Sequence, residues 1–391
     1  MGPVSRIYFD HNATTPVAGA CVDAMAAVLR EDFGNPSSVH YFGQRAKARM
    51  DDARTAVARL LNADPSEVVF TGSGTEGDNL ALRGAADVLE QIGRKHLITS
   101  GIEHEAVLNT AKALARRGWE VTLVPVDASG IVNPDAVREA LTPRTGIVSV
   151  MHANNEVGTV QRVTEIASIA KAAGAMVHVD AVQSAGKIPL DVKALGADLV
   201  AISAHKLYGP KGVGALWIRR GVRLVAATTG GRHERGRRAG TENVAGIVGF
   251  GVAATLAREH REAEAIRLAA LRDRLESGVL AAVPGTAVNG DVIARVPNTT
   301  NISFDRVEAE SLLIGLDLAG IAVSTGSACS SGTLEPSHVL KAMGLPPHRT
   351  QNSIRFSLGA ANTDAEVDRT LEVLPGIVAK LRSLTRTPAR A

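Results

Sequence analysis

Two reactive side chains each follow a short apolar run that is typical of a buried strand. Lys206 comes after residues 199–202 and lies among small residues. Partial removal from water would lower the pKa of its amine and make it a nucleophile able to form a Schiff base. Asp180 ends the run 176–179, where a carboxylate needs a cation or hydrogen bonds, and a protonated pyridine nitrogen would supply the cation. A surface lysine and a helix-capping aspartate are the alternatives, and both stay open.

A glycine-rich turn, GSGT at residues 72–75, follows another strand-like run and opens a predicted helix. Backbone N–H groups in the first turn of a helix have no partner within it, and together with the positive end of the helix dipole they suit a phosphate group. The turn lacks the Lys-Ser/Thr pair of a P-loop and the glycine spacing of a dinucleotide-binding motif. The pattern predicts a phosphate site, with a tight turn capped by Ser73 or Thr75 as the alternative.

Three further side chains have types suited to a reaction centre. His104 follows the predicted strand at residues 95–99, where an imidazole can stack on a planar ligand and move protons, or can cap the next helix. Cys329 lies in a loop of glycine, serine and threonine, as an accessible nucleophile would, whereas Cys21 follows the apolar pattern of a helix and is expected in the core. Arg355 lies inside a strand-like run, where its guanidinium needs an anion, either a substrate carboxylate or a structural one.

The first two thirds of the chain must position most of these groups, and its pattern predicts an α/β fold. Helical segments with apolar residues at three- and four-residue spacing separate short runs rich in β-branched residues. Such runs predict a mostly parallel sheet that is covered by helices on both faces. The predicted strands cover residues 67–71, 95–99, 120–124, 146–151, 176–179, 199–202 and 213–218, and the helices between them include 76–89, 105–116 and 164–173.

The pattern changes after about residue 257 and predicts a smaller α+β domain. Two long helices are expected in succession, at residues 239–260 and 261–282, without a strand between them. Strands follow at 299–304 and 353–357, and helices at 308–318, 336–343 and 363–381. We therefore expect a large domain over residues 17–257 and a small domain formed by 1–16 and 258–391, which carries the cysteine loop at about 324–338.

The composition of the 391 residues excludes several classes of protein. The net charge is +3 and aromatic residues make up 3%, so neither nucleic acid nor a membrane surface is expected as a partner. The longest nearly apolar stretch, residues 244–257, is shorter than the roughly 20 residues that span a bilayer. Two cysteines cannot form a disulfide framework, which favours the reducing environment of the cytoplasm.

Taken together, the motifs resemble those of the NifS/IscS-type cysteine desulfurases, which are pyridoxal-phosphate enzymes of aminotransferase class V. The resemblance runs in order from residue 10 to about 359, and the cysteine loop distinguishes this group from other class V members. The matching stretches are DHNATTP (10–16), GNPSS (34–38), FTGSGTE (70–76), EH (103–104), HANNEVG (152–158), HVDAVQ (178–183), SAHKLYGPKG (203–212), GGRHERGRRAGTEN (230–243), GSAC (326–329) and SIRFS (353–357).

The resemblance implies a fold-type I enzyme of this cofactor class and gives a role to each matched residue. Lys206 would hold pyridoxal phosphate covalently, and Cys329 would be the nucleophile that receives sulfur. His104 would stack on the pyridine ring and take part in catalysis. Asp180 would pair with the ring nitrogen, and Gln183 would bond the phenolic oxygen.

The resemblance also implies how phosphate and substrate are held. The phosphate would be bound by Gly74, Thr75, Ser203, His205 and, from the neighbouring subunit of a homodimer, Thr241. Asn155 and Arg355 would hold the carboxylate of L-cysteine.

The implied reaction converts L-cysteine to L-alanine and leaves sulfur as a persulfide on Cys329, which then supplies iron–sulfur cluster assembly on a scaffold or other acceptor protein. Cys329 would ligate a metal only transiently, through a [2Fe-2S] cluster shared with such a partner, and no resident metal centre is expected. The alternative is a selenocysteine or cystine lyase on the same scaffold.

Overall fold

The computed structural model of the protein describes residues 6–326 and 336–384. The strands are β1 (Ile7–Tyr8), β2 (Val68–Thr71), β3 (His96–Ser100), β4 (Glu120–Val124), β5 (Thr145–Ser149), β6 (Met176–Asp180), β7 (Leu199–Ser203), β8 (Gly214–Ile218), β9 (Thr286–Asn289), β10 (Thr299–Phe304), β11 (Ile321–Ala322) and β12 (Ser353–Ser357). The helices are α1 (Gly19–Glu31), α2 (Tyr41–Leu60), α3 (Gly74–Glu90), α4 (Glu105–Arg116), α5 (Pro134–Ala140), α6 (Val163–Ala172), α7 (Val244–Ala282), α8 (Ala309–Leu318), α9 (His338–Ala342), α10 (Pro347–Thr350) and α11 (Asp364–Leu384).

The large sheet has the strand order β2-β8-β7-β6-β5-β3-β4. Of these seven strands, β8 alone runs antiparallel to its neighbours. The central strands β5 and β7 are buried at every residue, as expected for parallel strands with helices on both faces. Because parallel strands end at the same edge, the residues that follow β5, β6 and β7 meet there. The predicted α/β class with a mostly parallel sheet is confirmed.

A second, antiparallel sheet has the order β12-β10-β9. Its apolar residues join the inner faces of α8, α11 and the second half of α7 in one cluster that includes Leu275, Leu312, Phe304, Phe356 and Leu374. The chain start belongs to this side of the molecule, because β1 pairs in parallel with β11 and Asp10 bridges to Ser357. Arg355 therefore reaches the cavity described below from a strand of the second sheet.

A single helix, α7, replaces the two helices predicted at residues 239–260 and 261–282. The predicted break was wrong because residues 258–264 contain neither glycine nor proline and are mostly strong helix formers. The first half of α7 packs Phe250 and Ala254 into the core of the large sheet, and the second half packs Leu271 and Leu275 into the core of the small one. The domain boundary predicted at residue 257 stays a prediction, and it falls inside this helix.

The long apolar stretch at residues 244–257 forms the first turns of α7 and is followed by charged residues. Much of it is buried in the core of the large sheet. Within the two described ranges, none of the helices has the length and apolar character needed to cross a membrane.

Candidate active site

A cavity of about 700 Å³ opens at the carboxyl edge of the large sheet and is also lined by residues of the second sheet and the chain start. The structure brings ten of the predicted site residues into its lining: Gly74, Thr75, His104, Asn155, Asp180, Gln183, Ser203, His205, Lys206 and Arg355. Thr241 is exposed just before α7 and does not line the cavity of its own chain. Cys329 lies outside the described residues, but Gly326 before it and Pro336 after it line the cavity. Cys21 is buried in the core, as predicted.

One end of the cavity is suited to a phosphate group. Ser73 caps α3, since its side chain accepts a hydrogen bond from the Glu76 N–H at 3.1 Å, so the predicted capping alternative is also correct. The N–H groups of Gly74 and Thr75 lie in the first turn, where helices bind anions. A Cβ at Gly74 would lie 2.7 Å from Val182 Cγ2, so glycine allows the helix to approach the turn after β6. Nearby, the buried Ser203 hydroxyl has no hydrogen-bond partner within the described chain.

The Lys206 amine, just after the carboxyl end of β7, is largely removed from water. It lies in a short 3-10 turn, Ala204–Lys206, and its Nζ donates to the backbone carbonyls of Asn12 (2.5 Å) and Ala13 (2.6 Å). Burial, followed by the charge of Arg355, lowers its pKa from 10.5 to about 8, while Asp10 and Asp180 oppose the shift. A substantial fraction of this amine is therefore uncharged near neutral pH, as a nucleophile or base requires.

The neighbouring His205 is also kept uncharged. Burial, followed by the charges of Lys206 and Lys211, lowers its pKa to about 4. Its Nδ1 lies 3.1 Å from the Thr14 hydroxyl, which fixes the ring beside the phosphate end of the cavity. A neutral imidazole held in this way still carries one N–H that can donate to an anion.

Asp180 is buried at the end of β6, and Asp180 Oδ1 accepts a hydrogen bond from the Val182 N–H at 2.9 Å. This contact caps a turn and not a helix, because no helix lies in the described segment between β6 and β7, so the helix-capping alternative was wrong; the same carboxyl group lines the cavity. Burial raises its pKa, while the charge of His104, the Val182 N–H and the charge of Lys206 lower it. A cation placed beside this buried carboxyl group, such as a protonated ring nitrogen, would stabilise its charged form.

His104 both caps a helix and faces the cavity. Its Nδ1 accepts a hydrogen bond from the Ala106 N–H at 3.1 Å at the start of α4, so the predicted capping alternative is correct. The imidazole is exposed and belongs to the cavity lining. That it stacks on a bound ring stays a prediction.

Arg355 is held by two partners on the chain. Its Nη2 lies 2.6 Å from Asp10 Oδ1, and its Nη1 donates to the Asn155 carbonyl at 2.9 Å. The structural carboxylate that we considered as the alternative is therefore present. The guanidinium nevertheless lines the cavity, and no hydrogen-bond partner for its buried Nε lies within the described residues. A guanidinium oriented in this way is suited to a carboxylate ligand.

The sequence analysis missed several polar residues of the site. Asp78 on α3 and Glu103 before α4 are buried carboxyl groups near Asp180, and burial raises the pKa of each, that of Glu103 to about 8. Asn12 and Lys187 form hydrogen bonds with Gln183 beside the cavity. An acidic residue on an otherwise buried helix face would have pointed to Asp78, whereas the contacts of Asn12 link positions far apart in the chain.

These residues fit pyridoxal phosphate. The free N–H groups at the start of α3 and the unpartnered Ser203 hydroxyl suit its phosphate, and the buried Asp180 suits its ring nitrogen. Lys206, with a pKa of about 8, suits its carbonyl carbon. Arg355 remains available for the carboxylate of an amino acid substrate.

Comparisons with known proteins agree with this geometry. Residues 7–370 match the aminotransferase class-V family. The cysteine desulfurase of Trichormus azollae is 51% identical over 382 residues, which cover 98% of this chain and 95% of that protein. Two solved structures are also similar: a NifS-like protein (40% identity, TM-score 0.90, covering 96% of this chain and 100% of that one) and SspA in complex with cysteine (36% identity, TM-score 0.80, covering 90% and 98%). The chain therefore belongs to the class-V aminotransferase family and, within it, to the NifS-like proteins.

Proposed function

We propose that this protein is a pyridoxal-phosphate-dependent cysteine desulfurase, a sulfurtransferase that converts L-cysteine to L-alanine and leaves sulfur as a persulfide on Cys329. The observation that carries the proposal is the meeting of Lys206, Asp180 and Arg355 in one cavity, which both flanks of the Cys329 segment also line. The relatives named above support the choice of substrate. They do not favour the selenocysteine or cystine lyase that we considered as the alternative.

The phosphate of the cofactor is held by the start of α3, Ser203 and His205, and Asp180 keeps a positive charge on the ring nitrogen. Bound there, pyridoxal phosphate supplies an electron sink for charge that develops on the substrate carbon atoms. Asp180 is suited to this task because it is buried, and a charge pair in a buried site is weakly screened by solvent.

Lys206 attaches the cofactor and moves protons. Its neutral amine would hold the cofactor through the carbonyl carbon, and the same amine, when free, would accept a proton from the substrate. The pKa of about 8 allows both the neutral and the charged form to exist at physiological pH. The carbonyl groups of Asn12 and Ala13 hold the amine in place and accept its hydrogens.

Arg355 and Asn155 orient the substrate carboxylate, and the Asp10 ion pair holds the guanidinium in position for it. The thiolate of Cys329 attacks the sulfur of L-cysteine. The new S–S bond forms as the Cβ–S bond breaks, and the electron pair stays with the carbon. A proton added at Cβ, and the return to Cα of the proton that Lys206 accepted, complete L-alanine. Sulfur thus leaves the substrate without any external oxidant or reductant.

The protein also acts, in this proposal, as a cytoplasmic homodimer that delivers sulfur to an iron–sulfur scaffold or another acceptor. Thr241 supports the dimer, because it is exposed and is not part of the cavity lining of its own chain, as expected of a residue that serves a neighbouring subunit. A persulfide is a suitable donor for cluster assembly, and any [2Fe-2S] cluster on Cys329 would be transient and shared with the acceptor.

The test uses the protein loaded with pyridoxal phosphate, L-cysteine and a thiol reductant, with L-alanine and sulfide measured together. We expect equal amounts of both from the wild-type protein and from Cys21→Ala, which changes a buried cysteine and serves as the matched control. Cys329→Ala should keep the cofactor absorption band and lose both products. Continued release of L-alanine from L-cysteine by Cys329→Ala would contradict the proposal, and turnover of selenocysteine or cystine by that variant would favour the lyase.

A further inference from the structure

Lys187 is a second lysine beside the cavity, and the reaction described above does not use it. It follows the turn after β6 and is partly buried. Its Nζ donates to Gln183 Oε1 at 2.8 Å and to Asn12 Oδ1 at 2.9 Å. Both acceptors belong to residues that line the cavity, whereas Lys187 itself does not line it.

These two contacts fix the orientation of the Gln183 amide. An amine of lysine only donates when it is charged, so the atoms that face it must be carbonyl oxygens and not amide nitrogens. The Gln183 nitrogen consequently points away from Lys187, and it donates to the Asn12 carbonyl at 2.9 Å. An amide nitrogen carries two hydrogens, and the second has no hydrogen-bond partner among the described residues. Gln183 therefore has one N–H free to donate into the cavity.

We propose that Lys187 is a positioning residue that holds Gln183 as a hydrogen-bond donor to an anionic ring oxygen of the cofactor. The inference rests on the proposed function, since it requires pyridoxal phosphate in the cavity. If the amide were reversed, its carbonyl oxygen would face the phenolic oxygen of the ring and repel it. In the observed orientation, the N–H stabilises the phenolate form.

Charge near Lys187 does not alter this orientation. Burial, and then the charges of Lys206 and Arg355, lower the pKa of Lys187 well below its ordinary value, and His11 is the other titratable group that interacts with it. A neutral amine still carries two N–H groups, one for each of the two acceptors, Gln183 and Asn12. A neutral amine could also accept a hydrogen bond, but the Asn12 carbonyl only accepts, so it keeps the Gln183 nitrogen on its side in either charge state.

The test measures the pH midpoint at which the absorption band of the bound cofactor changes, in loaded protein without substrate. A donor to the phenolate oxygen lowers this midpoint, because it stabilises the form that has lost its proton. We expect Lys187→Met and Gln183→Met each to raise the midpoint by about one unit, which corresponds to roughly a tenfold change in the proton equilibrium. The double variant should shift no further than Gln183→Met alone, because Lys187 acts through Gln183.

The double variant separates orientation from charge. If Lys187 acted through its charge on the ring, Lys187→Met would raise the midpoint by the same amount with or without Gln183, and the proposal would be overturned. An unchanged midpoint in Lys187→Met would overturn it as well. Thermal unfolding and cofactor content of each variant check that the fold is retained.

A second variant covers the case in which Lys187→Met binds no cofactor. Lys187→Arg keeps hydrogen-bond donors at this position, so it should keep the wild-type midpoint, and a midpoint as high as that of Gln183→Met would contradict the proposal. The proposed function is judged separately. If the wild-type protein turns over L-cysteine but the variants behave otherwise than expected, this inference alone fails; if it binds no pyridoxal phosphate, both fail.

Discussion

Two clusters of ionisable side chains lie in and beside the cavity, and they differ in sign and in the partners that hold them. The acidic cluster, Asp78, Glu103 and Asp180, lies below the edge of the large sheet. Burial raises the pKa of all three carboxyl groups, and Asp180 and Glu103 raise that of Asp78 further. Of the three, only Asp180 has its pKa lowered by the nearby cations His104 and Lys206. Asp180 is therefore the member of the acidic cluster to which we assign a negative charge.

The basic cluster, Lys187, Lys206 and Arg355, gathers around residues 10–13 at the start of the chain. Its members donate mainly to carbonyl oxygens of Asn12, Ala13 and Asn155, and one of them forms an ion pair with Asp10. Carbonyl oxygens accept hydrogen bonds without supplying a full negative charge, so the N–H groups of the basic cluster are suited to anionic ligands. The cavity is therefore polarised: one side suits a cationic ring nitrogen, and the other side suits anionic oxygens.

The largest effect should follow removal of the single charge of the acidic cluster. Asp180→Asn leaves an amide of the same shape that cannot stabilise a protonated ring nitrogen, so the electron sink is weakened. We expect turnover of L-cysteine to fall by about two to three orders of magnitude, the usual effect of losing one electrostatic contact to a transition state. Turnover is measured as L-alanine formed by fully loaded protein. A loss of less than about tenfold would contradict the role that we assign to the charge of Asp180.

The next effect concerns the basic cluster. Arg355→Gln removes the guanidinium and should raise the KM for L-cysteine by about 10- to 150-fold, since a hydrogen bond to a charged group contributes about 1.5–3 kcal/mol. Affinity for pyridoxal phosphate should change little, because Arg355 faces the substrate carboxylate. Steady-state kinetics and a cofactor titration test both statements. A variant with unchanged KM would show that the Asp10 ion pair is the sole role of Arg355.

A third test uses pH to measure the lowered pKa of Lys206, a member of the basic cluster. The pKa of Lys206 is lowered to about 8, so below that value its neutral fraction rises tenfold with each pH unit and above it the fraction levels off. The rate at which pyridoxal phosphate attaches to the cofactor-free protein should follow this curve. Stopped-flow absorbance between pH 6 and 10 measures it. A rate that keeps rising up to about pH 10 would indicate a lysine with the pKa of an exposed one.

The smallest effect belongs to Asp78. Because burial raises its pKa well above the ordinary value, the neutral form of the carboxyl group is favoured, and Asp78→Asn replaces this group by a neutral amide of similar shape. Turnover should change by less than about threefold, on the order of 0.7 kcal/mol or below. The matched pair Asp78→Asn and Asp180→Asn thus separates the two aspartates of the acidic cluster. Equal losses in both variants would contradict the idea that Asp180 alone carries the charge.

Residues that end strands were predictable from the sequence. Lys206 and Asp180 each follow a buried apolar run, and the strand order of a parallel sheet brings such residues to one edge. The helix start at Gly74 was equally local, since glycine and a capping serine occur together there. These predictions depended on short patterns, which local physical chemistry determines.

Other features of the fold and of the candidate site depend on contacts between residues far apart in the chain, and the sequence did not predict them. The hydrogen bonds between Lys187 and Asn12 span 175 positions, and no spacing rule points to them. The helix break predicted within α7 was wrong. The helix continues without a break, and only its packing changes along its length, from the core of the large sheet to the core of the small one. Arg355 was recognised, but its ion pair with Asp10 depends on the folded arrangement of the chain start beside β12.

The central claim is that the two buried lysines of the basic cluster have different roles: Lys206 attaches the cofactor, and Lys187 positions Gln183. Reduction of the loaded protein with borohydride makes the lysine–cofactor link permanent, and peptide mapping by mass spectrometry then locates it. We predict that the modification is found on the peptide that carries Lys206 and is absent from the one that carries Lys187. Modification of Lys187, or of neither lysine, would contradict the account.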